Sequence, residues 1–175
     1  MSIDPDELTG TIKTVARAVL ESVPEAGAGL PEGVRLLDSW SIKRDGAVLF
    51  WIDQELNPHD WGQAMLHHER FELDNDCWHP AGGGGHSCET AEALLDRAGP
   101  GLHRLGGGYR DPVRVTMAIA SRDVATIELR SERGSTTRSP GADGFCILGI
   151  TFSDPITYAH PLDLSGRSLG EPLIL

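Results

Sequence analysis

The sequence predicts a mainly β protein, a β-sandwich of Ig-like or jelly-roll-like topology, with an amphipathic α-helix at its N-terminus. Three observations predict this class. Apolar side chains recur at helical spacing near the N-terminus, most later segments alternate apolar and polar side chains in short runs, and turn-forming residues separate those runs. Seven or eight short strands divided in this way are typical of sandwiches.

The N-terminal segment, residues 1–23, carries the signals of a helix over residues 5–22. Asp4 can cap this helix, and Pro5 suits its first position. An apolar stripe follows at helical spacing, made of Leu8, Ile12, Val15, Val19 and Val23. We expect the stripe to dock on the rest of the protein. Residues 24–33, rich in glycine and proline, are expected to form a linker.

Residues 34–175 are predicted to form a single β-rich domain. Alternating side chains on both sides of Arg44–Gly46 indicate a hairpin. Further strands are expected over 63–74, 113–120, 125–129, 145–152 and 156–160, with a last short strand after residue 166. The Ser/Thr/Gly/Pro-rich stretch 131–144 is expected to be a long loop. The sequence also allows one short helix near 88–97.

The charge of the chain restricts its partners. The formal net charge is -11, and residues 1–96 alone carry 6 basic and 18 acidic side chains. This acidic half would repel a polyanion, so nucleic acid is not an expected partner. The apolar runs are too short to span a bilayer, and the acidic N-terminus is unlike an export signal. We therefore expect no membrane partner and a cytoplasmic location.

The most chemically distinctive stretch is Cys77–Cys88. Cys77 and His79 precede a run of glycines, and His86 and Cys88 follow it in mirror order. If the chain folds back on itself at the glycines, cysteine faces cysteine, histidine faces histidine, and all four share one face. A tetrahedral zinc site needs this geometry, so zinc is the candidate cofactor.

Other interpretations of the same stretch stay open. Ser87 can cap a helix, which would place Cys88 in the first helical turn, where the helix dipole favours a thiolate. Cys77 and Cys88 could also form a disulfide, although a reducing compartment disfavours it. The stretch could equally be an ordinary glycine-rich surface loop without metal. The third cysteine, Cys146, is expected to be a small buried apolar residue.

The sequence gives little support for catalysis. His59, His67 and His68 could contribute to a metal-dependent hydrolase, but the adjacent His67 and His68 point to opposite faces of a strand. Gly82–Gly85 lack the lysine of a phosphate-binding loop, and there is no Gly-x-Ser-x-Gly elbow. We assign no catalytic residue, and a non-enzymatic function is favoured over an enzymatic one.

The sequence therefore favours a non-catalytic interaction or scaffold protein, whose partner is another protein or a second copy of the chain. Trp61 and Trp78 lie in turn-rich stretches and are either contact residues or a lid over one end of the sandwich. The acidic rim of this surface is predicted to comprise Glu69, Glu72, Asp74 and Asp76. The alternatives are a zinc-binding metalloprotein built on the Cys/His stretch and an acidic decoy for a nucleic-acid-binding protein.

Overall fold

The computed structural model describes residues 4–57, 62–110, 113–151 and 156–175. Within them the elements are α1 (Pro5–Leu20), β1 (Val34–Ile42), β2 (Asp45–Ile52), β3 (Ala64–Asp74), β4 (Cys77–Cys88), α2 (Ala91–Arg97), β5 (Leu102–Arg110), β6 (Val113–Ala120), β7 (Thr126–Ser131), β8 (Gly134–Arg138), β9 (Phe145–Thr151), β10 (Ile156–Leu162) and β11 (Leu173–Ile174). The predicted mainly β class with an N-terminal helix is confirmed. No helix among the described residues is long and apolar enough to cross a bilayer.

The chain divides into two compact units, Met1–Thr90 and Ala91–Leu175. The first contains α1 and an antiparallel sheet of order β1-β2-β3-β4, and the second contains α2 and the remaining strands. The division falls inside the segment 34–175 that was predicted to be one domain. That single domain stays a prediction, which separate or joint unfolding of the two units would decide.

The N-terminal helix begins as its capping residues predict. Asp4 accepts a hydrogen bond from the Asp6 backbone N–H (2.8 Å), and Pro5 occupies the first turn. The helix ends at Leu20, two residues before the predicted end, where the chain turns into a left-handed backbone at Ser22. Val23 is therefore outside the helix and 46% exposed, so the prediction that it extends the apolar stripe is wrong.

The helix covers one face of the first sheet. Alternation along β2 directs Val48, Phe50 and Ile52 to this face, where the stripe of α1 packs against them. The shared core comprises Leu8, Ile12, Val15, Ala16, Val34, Val48, Phe50, Ile52, Met65, Phe71 and Trp78. Burial of this apolar face supplies most of the stability of a helix of this length.

Trp78 belongs to this core, so its prediction as an exposed contact residue or lid is wrong. It is only 8% exposed, and β4 pairs it with Leu73 on the helix side of the sheet. A methyl group added to Gly46 would lie 3.1 Å from the Trp78 ring and 2.9 Å from Leu20. The indole thus fills the space above Gly46 near the end of the helix. The other predicted contact residue, Trp61, lies outside the described residues.

We predict that Trp78→Ala lowers the free energy of unfolding by about 3–5 kcal/mol, because it leaves a cavity under α1. Ser41→Ala is the matched control, since its side chain is exposed on β1 of the same sheet. The control should change stability by less than about 0.5 kcal/mol. Urea unfolding measures both. If the Trp78→Ala protein is as stable as the control, Trp78 is not a core residue.

The second unit is a sandwich of two antiparallel sheets, β5-β6-β9 and β11-β10-β7-β8. Named in chain order as A, B, C, C′, E, F and G, its strands form the sheets A-B-E and G-F-C-C′, which is an Ig-like arrangement. Its core comprises Leu102, Ala118, Ala120, Val124, Ile127, Leu129, Cys146, Leu148, Ala159 and Leu175. The predicted Ig-like topology is thus found in this unit, and Cys146 is buried as expected.

Two segments of the second unit differ from their predictions. The stretch 131–144 contains β8, which pairs with β7 at the edge of its sheet. Most of β8 is exposed, so the alternation that marks a half-buried strand is missing from its sequence. The short helix predicted near 88–97 is present as α2, but it begins at Ala91 because Cys88 still belongs to β4.

Candidate interaction edge of the first sheet

The stretch Cys77–Cys88 is one continuous strand at the edge of the first sheet. It pairs with β3 along its whole length, with Cys77 opposite Asp74 and Cys88 opposite Ala64. The predicted fold-back at the glycines is therefore wrong, and the two cysteines lie roughly 33 Å apart along the strand. The alternative disulfide between them is also wrong, because both cysteines are free.

The glycines let β4 lie close to β3, whose backbone and side chains occupy the space that a Cβ atom would need. A methyl group added to Gly83 would lie 2.6 Å from the His68 carbonyl oxygen and 3.0 Å from the Glu69 carboxyl carbon. At Gly85 it would lie 2.5 Å from the Met65 sulfur. Any larger residue at these positions would force the strands apart. The glycine run thus allows close approach of two strands, where the sequence suggested a turn.

A β-bulge at Ala81 determines which side chains of β4 share a face. The register shifts there, so that Phe71 pairs with Pro80 and Arg70 pairs with Gly82. Because of this extra residue, the odd-numbered Cys77 and His79 lie on the same face as the even-numbered His86 and Cys88. The four residues share one face as the zinc hypothesis required, but they are distributed along the strand.

These four residues differ in exposure. Cys77, His79 and His86 are exposed, whereas Cys88 is only 6% exposed. Burial raises the pKa of the Cys88 thiol to about 11, against a smaller opposing effect of a hydrogen bond with the Leu66 backbone. The prediction of a helix-stabilised thiolate at Cys88 is therefore wrong.

A zinc site within one chain is not formed by the described residues. Among them, no group of three or more His, Cys, Asp or Glu side chains is arranged to hold a metal ion. The strand geometry explains this result, since an extended β4 separates the Cys77/His79 pair from the His86/Cys88 pair.

Three of the four residues predicted as an acidic rim are exposed, and their role in binding stays a prediction. Glu72, Asp74 and Asp76 are exposed near the turn between β3 and β4, and Arg44 forms an ion pair with Asp74 (3.0 Å). Glu69 was wrongly placed with them. It points to the helix side of the sheet and is 2% exposed. Strand alternation separates it from Glu72, since three positions along a strand lead to the opposite face.

Glu69 instead belongs to a buried polar centre on β3. Its Oε1 is 2.9 Å from the Nε2 of His67 on the helix side of the sheet. On the other side His68 lies against Gly84, where an added methyl group would be 3.1 Å from its ring. His68 Nδ1 and Glu69 Oε2 are buried without a hydrogen-bond partner among the described residues. Buried polar atoms without a hydrogen-bond partner lower the free energy of unfolding.

The same geometry argues against the hydrolase hypothesis. His67 and His68 lie on opposite faces of β3, as strand alternation predicted, and cannot ligate one metal together. The third histidine of that hypothesis, His59, lies outside the described residues. The His67 nitrogen bonded to Glu69 faces the side on which α1 packs.

His68 makes the stability of the first unit dependent on pH. Burial lowers the pKa of His68 to about 4, and the charges of His67 and Arg70 contribute further. An unfolded chain has a histidine pKa of 6.5, so it takes up this proton first. The stability contributed by neutral His68 is therefore complete above pH 6.5 and is lost as the pH falls toward 4.

We predict that this loss amounts to about 3 kcal/mol of unfolding free energy for the wild-type chain between pH 7 and 4. His68→Leu should remove this part of the pH dependence, whereas the control His103→Gln, on β5 of the other unit, should keep it. Urea unfolding at a series of pH values gives the comparison. If wild type and His68→Leu lose stability in parallel, the imidazole is not buried in its neutral form.

A recess in the second unit contains positive charge. It has a volume of about 180 Å³, and it is lined by Arg104, Arg114 and Tyr109 above the glycines Gly106–Gly108. Arg104 also donates a hydrogen bond to the carbonyl of Ile174 (2.6 Å). Small-molecule sites usually have volumes of about 300–1,000 Å³. The recess is too small to suggest a metabolite as ligand.

A larger recess of about 640 Å³ lies beside the turn after β10. Its central carboxylate, Asp163, accepts hydrogen bonds from the side chain of Ser165 (2.6 Å) and the backbone of Arg167 (2.9 Å). These bonds lower the pKa of Asp163 to about 2. Asp163 thus holds this turn together.

No family model, curated protein or solved structure matches this chain. The feature that sequence reasoning missed is that β4 is an edge strand, which pairs only with β3 among the described strands. The available signal was Pro80, because proline within a sheet is confined to edges and bulges.

Proposed function

We propose that the protein is a non-catalytic interaction protein that joins a second copy of itself through β4, edge to edge and antiparallel. The observation that carries this proposal is the order of the cysteines and histidines along β4, Cys-x-His near one end and His-x-Cys near the other, which reads the same from either end. An antiparallel pair of identical strands has a two-fold axis, so each residue must fit a different residue of the same strand. A mirror-ordered strand meets this requirement.

The bulge at Ala81 determines the register in which two copies of β4 would pair. Pairing Gly83 with Gly83 of the partner subunit places Gly82 opposite Gly84 and leaves Ala81 as a bulge in each copy. His79 then lies opposite His86 of the partner subunit, and Cys77 lies opposite Cys88 of the partner subunit. Paired residues share a face throughout this register, which a pairing without the bulge would not achieve.

The centre of the strand is suited to backbone contact. Gly82, Gly83 and Gly85 are exposed and present no side chain that would hinder an approaching strand. An added strand would supply backbone hydrogen bonds along the outer side of β4, the last strand of its sheet among the described residues. The formal charge of -11 on each copy opposes association. The dimer should therefore become tighter as salt screens this repulsion.

We predict that charges at positions 79 and 86 interact between copies. His79→Glu combined with His86→Glu places like charges opposite each other twice per dimer and should weaken it. His79→Lys combined with His86→Glu places opposite charges together and should strengthen it. The coupling should be about 1 kcal/mol or more, roughly fivefold in the dissociation constant, measured by sedimentation equilibrium with a chelator present.

The single substitutions His79→Glu, His79→Lys and His86→Glu complete the comparison. Within one chain these positions are roughly 20 Å apart, so their effects on the monomer should add. This separates contact between copies from the effect of Glu72, which pairs with His79 in the same chain. Additive effects on dimerisation, or a monomer at every concentration, would overturn the proposal.

A further inference from the structure

We infer that the paired β4 edges bind one zinc ion per chain, at two equivalent sites that no single chain contains. Each site takes Cys77 and His79 from one copy, and His86 and Cys88 of the partner subunit. The inference rests on the proposed function, because only the antiparallel pairing of β4 brings the two halves of the ligand set together. Its test is arranged so that the two can fail separately.

The strand spacings place the four residues at the corners of a small rectangle. Cys77 and His79 are two positions apart on one face, which corresponds to about 6.6 Å along the strand. Residues directly opposite each other on paired strands are about 5 Å apart. Four side chains rising from such a rectangle can converge on one ion at the usual zinc distances of about 2.0–2.3 Å.

The donor set and its surroundings favour zinc. Two thiolates and two imidazoles form a tetrahedral Cys2His2 set, which suits zinc better than magnesium or calcium. On the same face, Glu72 of β3 pairs with His79, and Asp74 pairs with Cys77. The Glu72 carboxylate can accept a hydrogen bond from a zinc-bound His79 imidazole and so orient it.

Coordination by Cys88, the fourth ligand, requires its side chain to move. Its side chain is buried and forms a hydrogen bond with the Leu66 backbone, so it must turn toward the open edge to reach an ion. Both cysteines must lose a proton on coordination, so binding one zinc releases two protons when Cys77 and Cys88 start as thiols. Cys77, His79 and His86 are already exposed and provide the first three ligands.

The test uses the intact chain with zinc chloride as the probe, and it combines elemental analysis with mass in solution. We expect one zinc per chain and a dimer that zinc tightens by about tenfold or more. His79→Ala and His86→Ala should each lower zinc content and abolish the tightening. His103→Ala, which removes an imidazole from β5 in the other unit, is the control and should change neither.

A mixing experiment shows whether the ligands come from two chains. Cys77→Ser/His79→Ala lacks one half of the set, and His86→Ala/Cys88→Ala lacks the other half. Each variant alone should bind no zinc, whereas an equimolar mixture should bind one zinc for each mixed dimer. If Cys88→Ala prevents folding, His86→Ala alone takes its place, and mixing should then raise the zinc content above that of either variant.

The outcomes separate the inference from the proposed function. A dimer that forms in chelator but binds no zinc overturns the inference and leaves the function standing. A monomer at all concentrations, with or without zinc, overturns both. Zinc bound stoichiometrically by a monomer overturns the inference, because the ligands would then come from one chain. Dimerisation only with zinc supports the inference and overturns metal-free association.

Discussion

The close approach of β3 and β4 is the constraint on which the candidate site depends. Glu69, His68 and Met65 occupy the space beside Gly83, Gly84 and Gly85, and only glycine leaves room for them. The glycine run is extended along β3 and lies at the edge of the sheet. Extension separates the Cys77/His79 pair from the His86/Cys88 pair. The mirror-ordered cysteines and histidines therefore do not close a hairpin within one chain, and in our proposal they pair with a second strand.

Local signals in the sequence predicted much of the fold. Asp4 and Pro5 fix the start of α1, and alternating side chains over 34–52 identify the first hairpin. The Ig-like order of the second unit follows the predicted succession of short strands, except β5 and β8, which were not predicted. The exposure of β8 hides its alternation. These successes share a cause. Capping and half-burial act over a few residues and leave a periodic pattern in the sequence.

The candidate site could not be predicted in the same way, because its geometry depends on contacts between distant residues. Four glycines have no side-chain period, so their extension depends on what β3 places above them. Trp78 was misjudged because its polar neighbours suggest a turn, whereas the register of β4 sends it under α1. Glu69 was misjudged because a run of acids suggests one surface, although alternation places it beside His67. In each case the pairing of strands, and not the local sequence, determines on which face of the sheet the residue lies.

The account is tested most directly by a distance between two copies. Cys77 is exposed and Cys88 and Cys146 are buried, so a spin label can be attached to Cys77 alone. In the proposed register the two labelled positions lie five strand steps on either side of the two-fold axis. Pulsed dipolar spectroscopy of the metal-free dimer should therefore give one distance of about 33 Å between backbones, lengthened by the labels. A much shorter distance, or no dipolar coupling between copies, would contradict pairing through β4.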